Sequence, residues 1–215
     1  MATIVDYASL KQGILDFSHK SNLTGYLDYF IQDAQEQINN DILEENMGNG
    51  IRAMEVQLAS VAIDGNGHVA VPADYLCMKS LQLLMTGTRD PSLIQKSSDW
   101  IYDRYPRRLP DSPPAYFARE GANFIFGPYP DQQYNVQGWY YQLAPLLSGG
   151  TATNWMVLKA PLMLHAACML SAMKFLKDSD GITLWGGTYQ AKLEKLVTAD
   201  KADRWNASTL QMELG

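Results

Sequence analysis

The stretch that decides the fold is GGTATNWMVLKAPLMLHAACMLSAMKFLKDSDGITLWGGTYQAKLEKL, residues 149–196. A glycine-threonine loop leads through Asn154 and Trp155 to Pro161, a residue suited to the first helical turn because its missing N–H would be unpaired there anyway. From Pro161 to Leu176 only His165, Ser171 and Lys174 are polar. A helix apolar on nearly every side has to be buried all round. Its cover comes either from the rest of the chain or from neighbouring copies, and that alternative bears on what kind of protein this is. A second helix follows from about Asp180, with Ile182, Trp185, Tyr189, Leu193 and Leu196 at helical spacing.

Upstream, Asp6 is placed to cap a helix in which Tyr7, Leu10, Ile14 and Phe17 form an apolar stripe ending near His19. After Ser21 and Asn22 a longer stripe runs through Leu27, Phe30, Ala34, Ile38 and Ile42, with Gln32, Gln35, Glu36 and Asn39 on the opposite side. The two helices are expected to pair antiparallel, and Met47 to Gly50 stops the second. From Arg52 the period changes to two, with Met54, Val56 and Leu58 alternating with Glu55, Gln57 and Ala59. Asp64-Gly65-Asn66-Gly67 reads as a tight turn, which makes His68 to Val71 the hairpin mate of that strand.

A third strand is expected from Met78 to Met85, then a short strand and a helical turn around Ser98 to Ile101. Pro106 to Pro114 reads as surface loop. Tyr116 to Ala118 and Asn123 to Phe126 form a second hairpin, closed by Gly127 to Asp131, before an aromatic strand from Val136 to Leu143. The fold class is therefore α+β: a helical bundle from the N- and C-terminal halves with an inserted, mostly antiparallel β portion. The segments are 1–50, a helical pair; 51–150, the β-rich insert; 151–203, the helices completing the bundle; and 204–215, a flexible docking tail. Leu10, Ile14, Phe30, Ile38, Leu164, Leu170 and Leu193 are the expected buried set.

A chain of 215 residues can bury a true core. Its net charge of −6 and pI near 5.0 argue against gripping nucleic acid through phosphate neutralisation. Cys77 and Cys168, far apart and in apolar surroundings, read as reduced buried thiols. The start has no basic, apolar signal pattern, so synthesis in the cytoplasm is expected. Trp155 to Leu176 is too interrupted to span a bilayer and reads as a core helix.

Chemistry is sparse. His19, His68 and His165 lie in three different elements without metal-ligand spacing, and no cofactor fingerprint is present. His165 reads as a core or interface imidazole. The paired carboxylates, Glu44 with Glu45 and Asp178 with Asp180, could serve a small cell-wall glycan hydrolase. Each pair lies at a helix end, however, and Asp178 to Asp180 reads better as a cap, so no catalytic residue is assigned. Partner contacts are expected at Arg104, Arg107 and Arg108, which lie among Trp100, Tyr102 and Tyr105, and at Trp139 in the aromatic strand. In the tail, Trp205, Leu210, Met212 and Leu214 are scattered without periodicity and are expected to order on docking.

Several phrases, taken in order, resemble the head-to-tail adaptor proteins of tailed bacteriophages. They are Val71-Pro72-Ala73-Asp74-Tyr75-Leu76 before a strand, the turn Ser98-Asp99-Trp100, and Gly127-Pro128-Tyr129-Pro130 after a hairpin. Thr153 to Leu158 followed by Pro161, then Trp185 and Tyr189, complete the series, and the likeness runs from about Tyr7 to Val197. This resemblance implies a non-enzymatic structural protein of the virion neck, a ring of commonly twelve copies between portal and tail (nozzle) protein, through which the genome leaves without specific binding. An all-round apolar helix would suit a ring whose subunits cover one another. An acidic wall would let DNA pass without sticking.

Overall fold

Asp6 caps helix α1 (Tyr7–Ser18) through a reciprocal pair: its carboxylate accepts the Ser9 N–H at 2.8 Å, and the Ser9 hydroxyl accepts the Asp6 N–H at 3.0 Å. The computed structural model in which this is seen describes residues 3–85 and 90–207. The helix ends at His19, whose φ of 52° is left-handed. Leu10 and Ile14 are fully buried as the spacing requires, whereas Phe17 at the helix end is 58% exposed. A 3₁₀ turn, Ser21–Tyr26, then leads into α2 (Leu27–Glu45).

Helix α2 buries Leu27, Phe30, Ile31, Ala34, Ile38 and Ile42. Gln35 and Asn39, expected on the solvated side, are buried too. Gln35 has a structural use there: its Nε2 donates to the Pro145 carbonyl at 3.1 Å and its Oε1 accepts the Leu147 N–H at 3.0 Å. A buried loop must have its backbone groups paired, and one amide side chain pairs two of them. Helices α1 and α2 meet at a polar edge where Tyr7 and Lys11 both reach Asp28. The apolar partner of each is α5 (Pro161–Leu176), so the expected pairing of α1 with α2 is replaced by packing of both on a third helix.

That third helix is the hydrophobic centre of the unit formed by Met1–Met54 and Leu143–Gly215. Every residue from Met163 to Met173 is buried, while Leu162, Lys174 and Phe175 at the ends emerge. The cover comes from α1, α2, the short α4 (Trp155–Lys159) and α6 (Ser179–Ala207) of the same chain. The apolar helix therefore does not by itself require neighbouring copies. Leu164, Leu170 and Leu193 are all in this core. Helix α6 continues past Lys201, where the apolar pattern fades, because polar contacts hold its last turns. Arg52 pairs with Asp203 and donates its N–H to Asp200 at 2.8 Å, and Arg204 donates to the Gly50 carbonyl at 2.8 Å. Leu210, Met212 and Leu214 lie outside the described residues.

The second unit, Glu55–Gln142, holds all the strands found among the described residues. One sheet has the order β1–β7–β3, with β1 Glu55–Ala62, β3 Tyr75–Leu84 and β7 Asn135–Gln142. The other is β2–β6–β5–β4, with β2 His68–Ala70, β4 Ile94–Gln95, β5 Tyr116–Glu120 and β6 Asn123–Gly127. All ladders are antiparallel except β4 with β5. The β5–β6 hairpin forms in the register Phe117↔Phe126 and Arg119↔Phe124.

His68 to Ala70 is not the mate of β1. It pairs with β6, while β1 pairs with β7. The Asp64 to Gly67 turn does form, with the Gly67 N–H on the Asp64 carbonyl at 2.9 Å, but it carries the chain from one sheet to the other. Both sheets feed one core that includes Leu81, Leu83, Phe117, Phe124, Phe126 and Val136. The helical turn expected at Ser98 extends to Arg104 as α3, capped by Ser97.

Candidate functional site

The basic-aromatic corner is built where α3 runs into the Pro106–Pro114 loop. Helix α3 buries Ile101 and places Trp100 against Tyr116, ring centres 4.7 Å apart, with the Lys96 ammonium over the Trp100 ring at 5.3 Å. Tyr102 donates its hydroxyl to Glu120 at 2.7 Å, and that carboxylate is the main reason its pKa lies above the ordinary phenol value.

The three arginines then separate by role. Arg108 turns inward: its Nη1 donates to the Phe126 carbonyl at 2.6 Å and its guanidinium lies 4.9 Å from the Tyr129 ring centre and 5.8 Å from that of Tyr102. It anchors the loop. Arg104 and Arg107 stay exposed and line a depression of about 330 Å³ together with Tyr105, Leu109, Asp111 and Tyr129. The arrangement offers two exposed guanidinium groups beside apolar and aromatic surface, which suits an acidic or aromatic protein partner.

In the aromatic strand the three rings also divide. Tyr140 and Tyr141 are buried, and the Tyr140 hydroxyl donates to Asp74 at 2.9 Å. Burial, with the Asp74 carboxylate adding to it, pushes the Tyr140 pKa up to about 12. Trp139, set between Gln57 on β1 and Ser80 on β3, is 45% exposed. An exposed indole on a sheet face is the kind of residue that anchors interfaces. Of the tail residues, Trp205 falls within α6 and the other three lie beyond the described residues.

One acid of each pair has a structural partner. Asp178 is the cap of α6, accepting the Gly181 N–H at 3.1 Å, and Asp180 lies in the first turn, where an acid is favoured by the helix dipole. Glu45 accepts from Gln190 at 3.2 Å, and its carbonyl accepts from Lys201 at 3.0 Å. A hollow of about 590 Å³ in the β unit is lined by a single acid, Asp90, whose carboxylate takes the Met85 N–H at 2.9 Å. No group of three or more His, Cys, Asp or Glu among the described residues could hold a metal ion.

His165 is 5% exposed, with Phe17 and Trp185 edge-on at 4.9 and 5.5 Å. Burial lowers its pKa, the Gly13 backbone opposing this in part. Cys77 and Cys168 are not joined in a disulfide; Cys168 is buried, which pushes its thiol pKa up, whereas Cys77, expected to be buried too, is half-buried on β3. No helix among the described residues is long and apolar enough to cross a membrane.

One feature of the helical unit has no counterpart in the sequence reading. Lys159, Lys192 and Lys195 surround an apolar hollow of about 320 Å³ next to the exposed Leu158 and Leu162. The lysines are brought together only where the end of α4 meets the α5–α6 hairpin, and their separation in sequence hides them; the polar Lys159 between Leu158 and Ala160, just before Pro161, was the available signal.

The chain matches the SU10 adaptor protein family over residues 5–212 and belongs to it; this is a family of phage head–tail adaptors. Among curated proteins none matches significantly.

Proposed function

Starting from this family membership, we propose that the protein is the structural ring component fixed beneath the portal of a tailed phage, joining capsid to tail (nozzle) protein and lining the DNA channel. The match over residues 5–212 is the observation that carries the reading. Twelve copies form the ring, following the resemblance in the sequence. The net charge of −6 supports a wall along which DNA slides without being held. The protein acts without catalysis: of the acids that could pair for glycan hydrolysis, Asp178 serves as a helix cap and Glu45 as a helix–helix hydrogen-bond partner, which ties up one member of each pair. It assembles in the host cytoplasm and resides in the virion neck.

Arg104, Arg107 and Trp139 are the proposed partner contacts of the β unit, with Arg108 as their internal support. Trp205, Leu210, Met212 and Leu214 are the proposed contacts of the C-terminal tail, docking on the portal or an adjacent subunit. The test is electron microscopy of the full chain mixed with the portal protein of the same phage. A closed ring of this chain on the portal is the expected image; a portal left bare, or decorated by single copies without a ring, would refute the reading. Removing residues 208–215 is expected to leave the melting temperature unchanged while weakening portal binding.

A further inference from the structure

Two surfaces of the helical unit are unpartnered within the described residues, and they complement each other. The first is the outward side of α2, where Tyr29, Asp33, Glu36, Asn40 and Glu44 recur every three or four residues and so share one face. Helix α2 carries six acids and no base. Three of them have internal partners: Asp28 with Tyr7 and Lys11, Asp41 with the Tyr189 hydroxyl at 2.6 Å, and Glu45 with Gln190. No cation among the described residues pairs with Asp33, Glu36 or Glu44. Tyr29 on the same stripe is 62% exposed.

The second surface is the corner between α4 and α5 with the adjoining side of α6. Leu158 and Leu162 stand out there, 66% and 60% exposed, beside the hollow rimmed by Lys159, Lys192 and Lys195. No acid lines that hollow, and none of the three lysines has an ion-pair partner among the described residues. Glu194, close in sequence, is within 3.5 Å of Gln190 instead. A single exposed leucine or lysine is ordinary, but three unpaired lysines around exposed leucines in a chain of net charge −6 form a local exception.

We propose that the acid-tyrosine stripe of α2 in one copy seats on the lysine-rimmed leucine hollow of the next copy. Tyr29 covers Leu158 and Leu162, and the α2 carboxylates neutralise the lysines. Tyr29, Glu36, Asn40 and Glu44 are exposed on α2, with Asp33 half-buried nearer to α5, whereas the hollow lies at α4, α5 and α6, so one copy offers both surfaces to two different neighbours. Such a contact is heterologous and repeats until a ring closes. The inference rests on the ring reading above and names its subunit contact.

Charge reversal tests it on the full chain. One variant carries Glu36→Lys and Glu44→Lys, the other Lys192→Glu and Lys195→Glu; three of the positions are exposed and Lys192 is half-buried at the rim of the hollow, and none is in the core, so both variants should melt as the wild type does. Mass photometry over rising concentration is expected to show wild-type oligomers. Each variant alone should lose at least about 10-fold in association, because like charges then face each other. An equal mixture of the two should recover the oligomer, since opposite charges meet at every junction of an alternating ring.

A wild type that stays monomeric overturns the contact, and the portal image described above then decides the ring reading by itself. Variants that oligomerise as well as the wild type overturn the contact and leave the ring standing. If reversing the lysines abolishes oligomers while reversing the glutamates does not, the contact is also wrong. A DNA mobility shift lost only in the lysine variant, with oligomers unaffected, would assign the hollow to nucleic acid and overturn it too.

Discussion

Gly138 is required by its neighbours and not by its own torsion angles. A Cβ there would lie 2.1 Å from the Ser80 carbonyl oxygen, in a sheet where β3 shifts register between Met78 and Ser80 and β1 shifts between Leu58 and Val61. Gly138→Ala should therefore destabilise the β unit by about 3 kcal/mol or more, read as a lower urea midpoint. Gly65→Ala, where the added carbon meets nothing within 4 Å, should stay within about 0.5 kcal/mol. Equal losses in the two variants would show that the Ser80 contact yields. At His165 the prediction concerns pH. Burial depresses its pKa below 6.5, so the fold holds the neutral ring. Above pH 6.5 that preference has no cost; as pH falls below it, the unfolded chain binds the proton first and stability is lost. The melting temperature should fall on acidification below pH 6.5, and His165→Gln should reduce that slope. An unchanged slope would mean other groups carry the acid sensitivity.

Helix starts are set by single side chains. Asn154 accepts the N–H groups of Met156 at 3.0 Å and Val157 at 3.2 Å, while its Nδ2 donates to Pro145 at 2.9 Å. Asn154→Ala should cost about 2–3 kcal/mol, since it removes a cap and strips a partner from a carbonyl. Asp178→Ala, which removes a cap bond alone, should cost about 0.5–2 kcal/mol, and Asp180→Ala less. Chemical denaturation of the three variants ranks them, and a greater loss at Asp180 would contradict the cap assignment. Such caps are local, which is why Asp6 and Asp178 could be read from the sequence together with the helices they open. The turn at Asp64 to Gly67 was legible for the same reason. The partner of β1 was not, because strand pairing is chosen by tertiary packing and the true mate, β7, is far along the chain. The last turns of α6 escaped because Arg52 and Gly50 hold them through polar contacts that no periodicity announces. At the candidate site, the exposure of Arg107 followed from the turn-rich loop, whereas Arg104 is exposed as the last residue of α3. The inward turn of Arg108 depended on Phe126 and Tyr129, which only the fold brings near.

At the scale of the whole molecule, the β unit leaves and rejoins the helical unit through adjacent strands: Glu55 is opposite Tyr141 in the β1–β7 ladder. Ends so close can be joined without stretching. Replacing residues 55–142 by a short glycine-serine linker should leave a helical unit that melts cooperatively, checked by far-ultraviolet circular dichroism with temperature. Loss of the cooperative transition would mean that the helical unit depends on its insert. The centre of the first sheet is β7, the last of its strands to be made. A ribosome adding about 5–20 residues per second therefore exposes β1 and β3 for on the order of several seconds before the strand that joins them emerges. During that interval each offers an unsatisfied edge to any passing chain. For a protein proposed to build an ordered ring, the hazard is disordered pairing between nascent chains, and crowding many ribosomes on one message late in infection would make it worse.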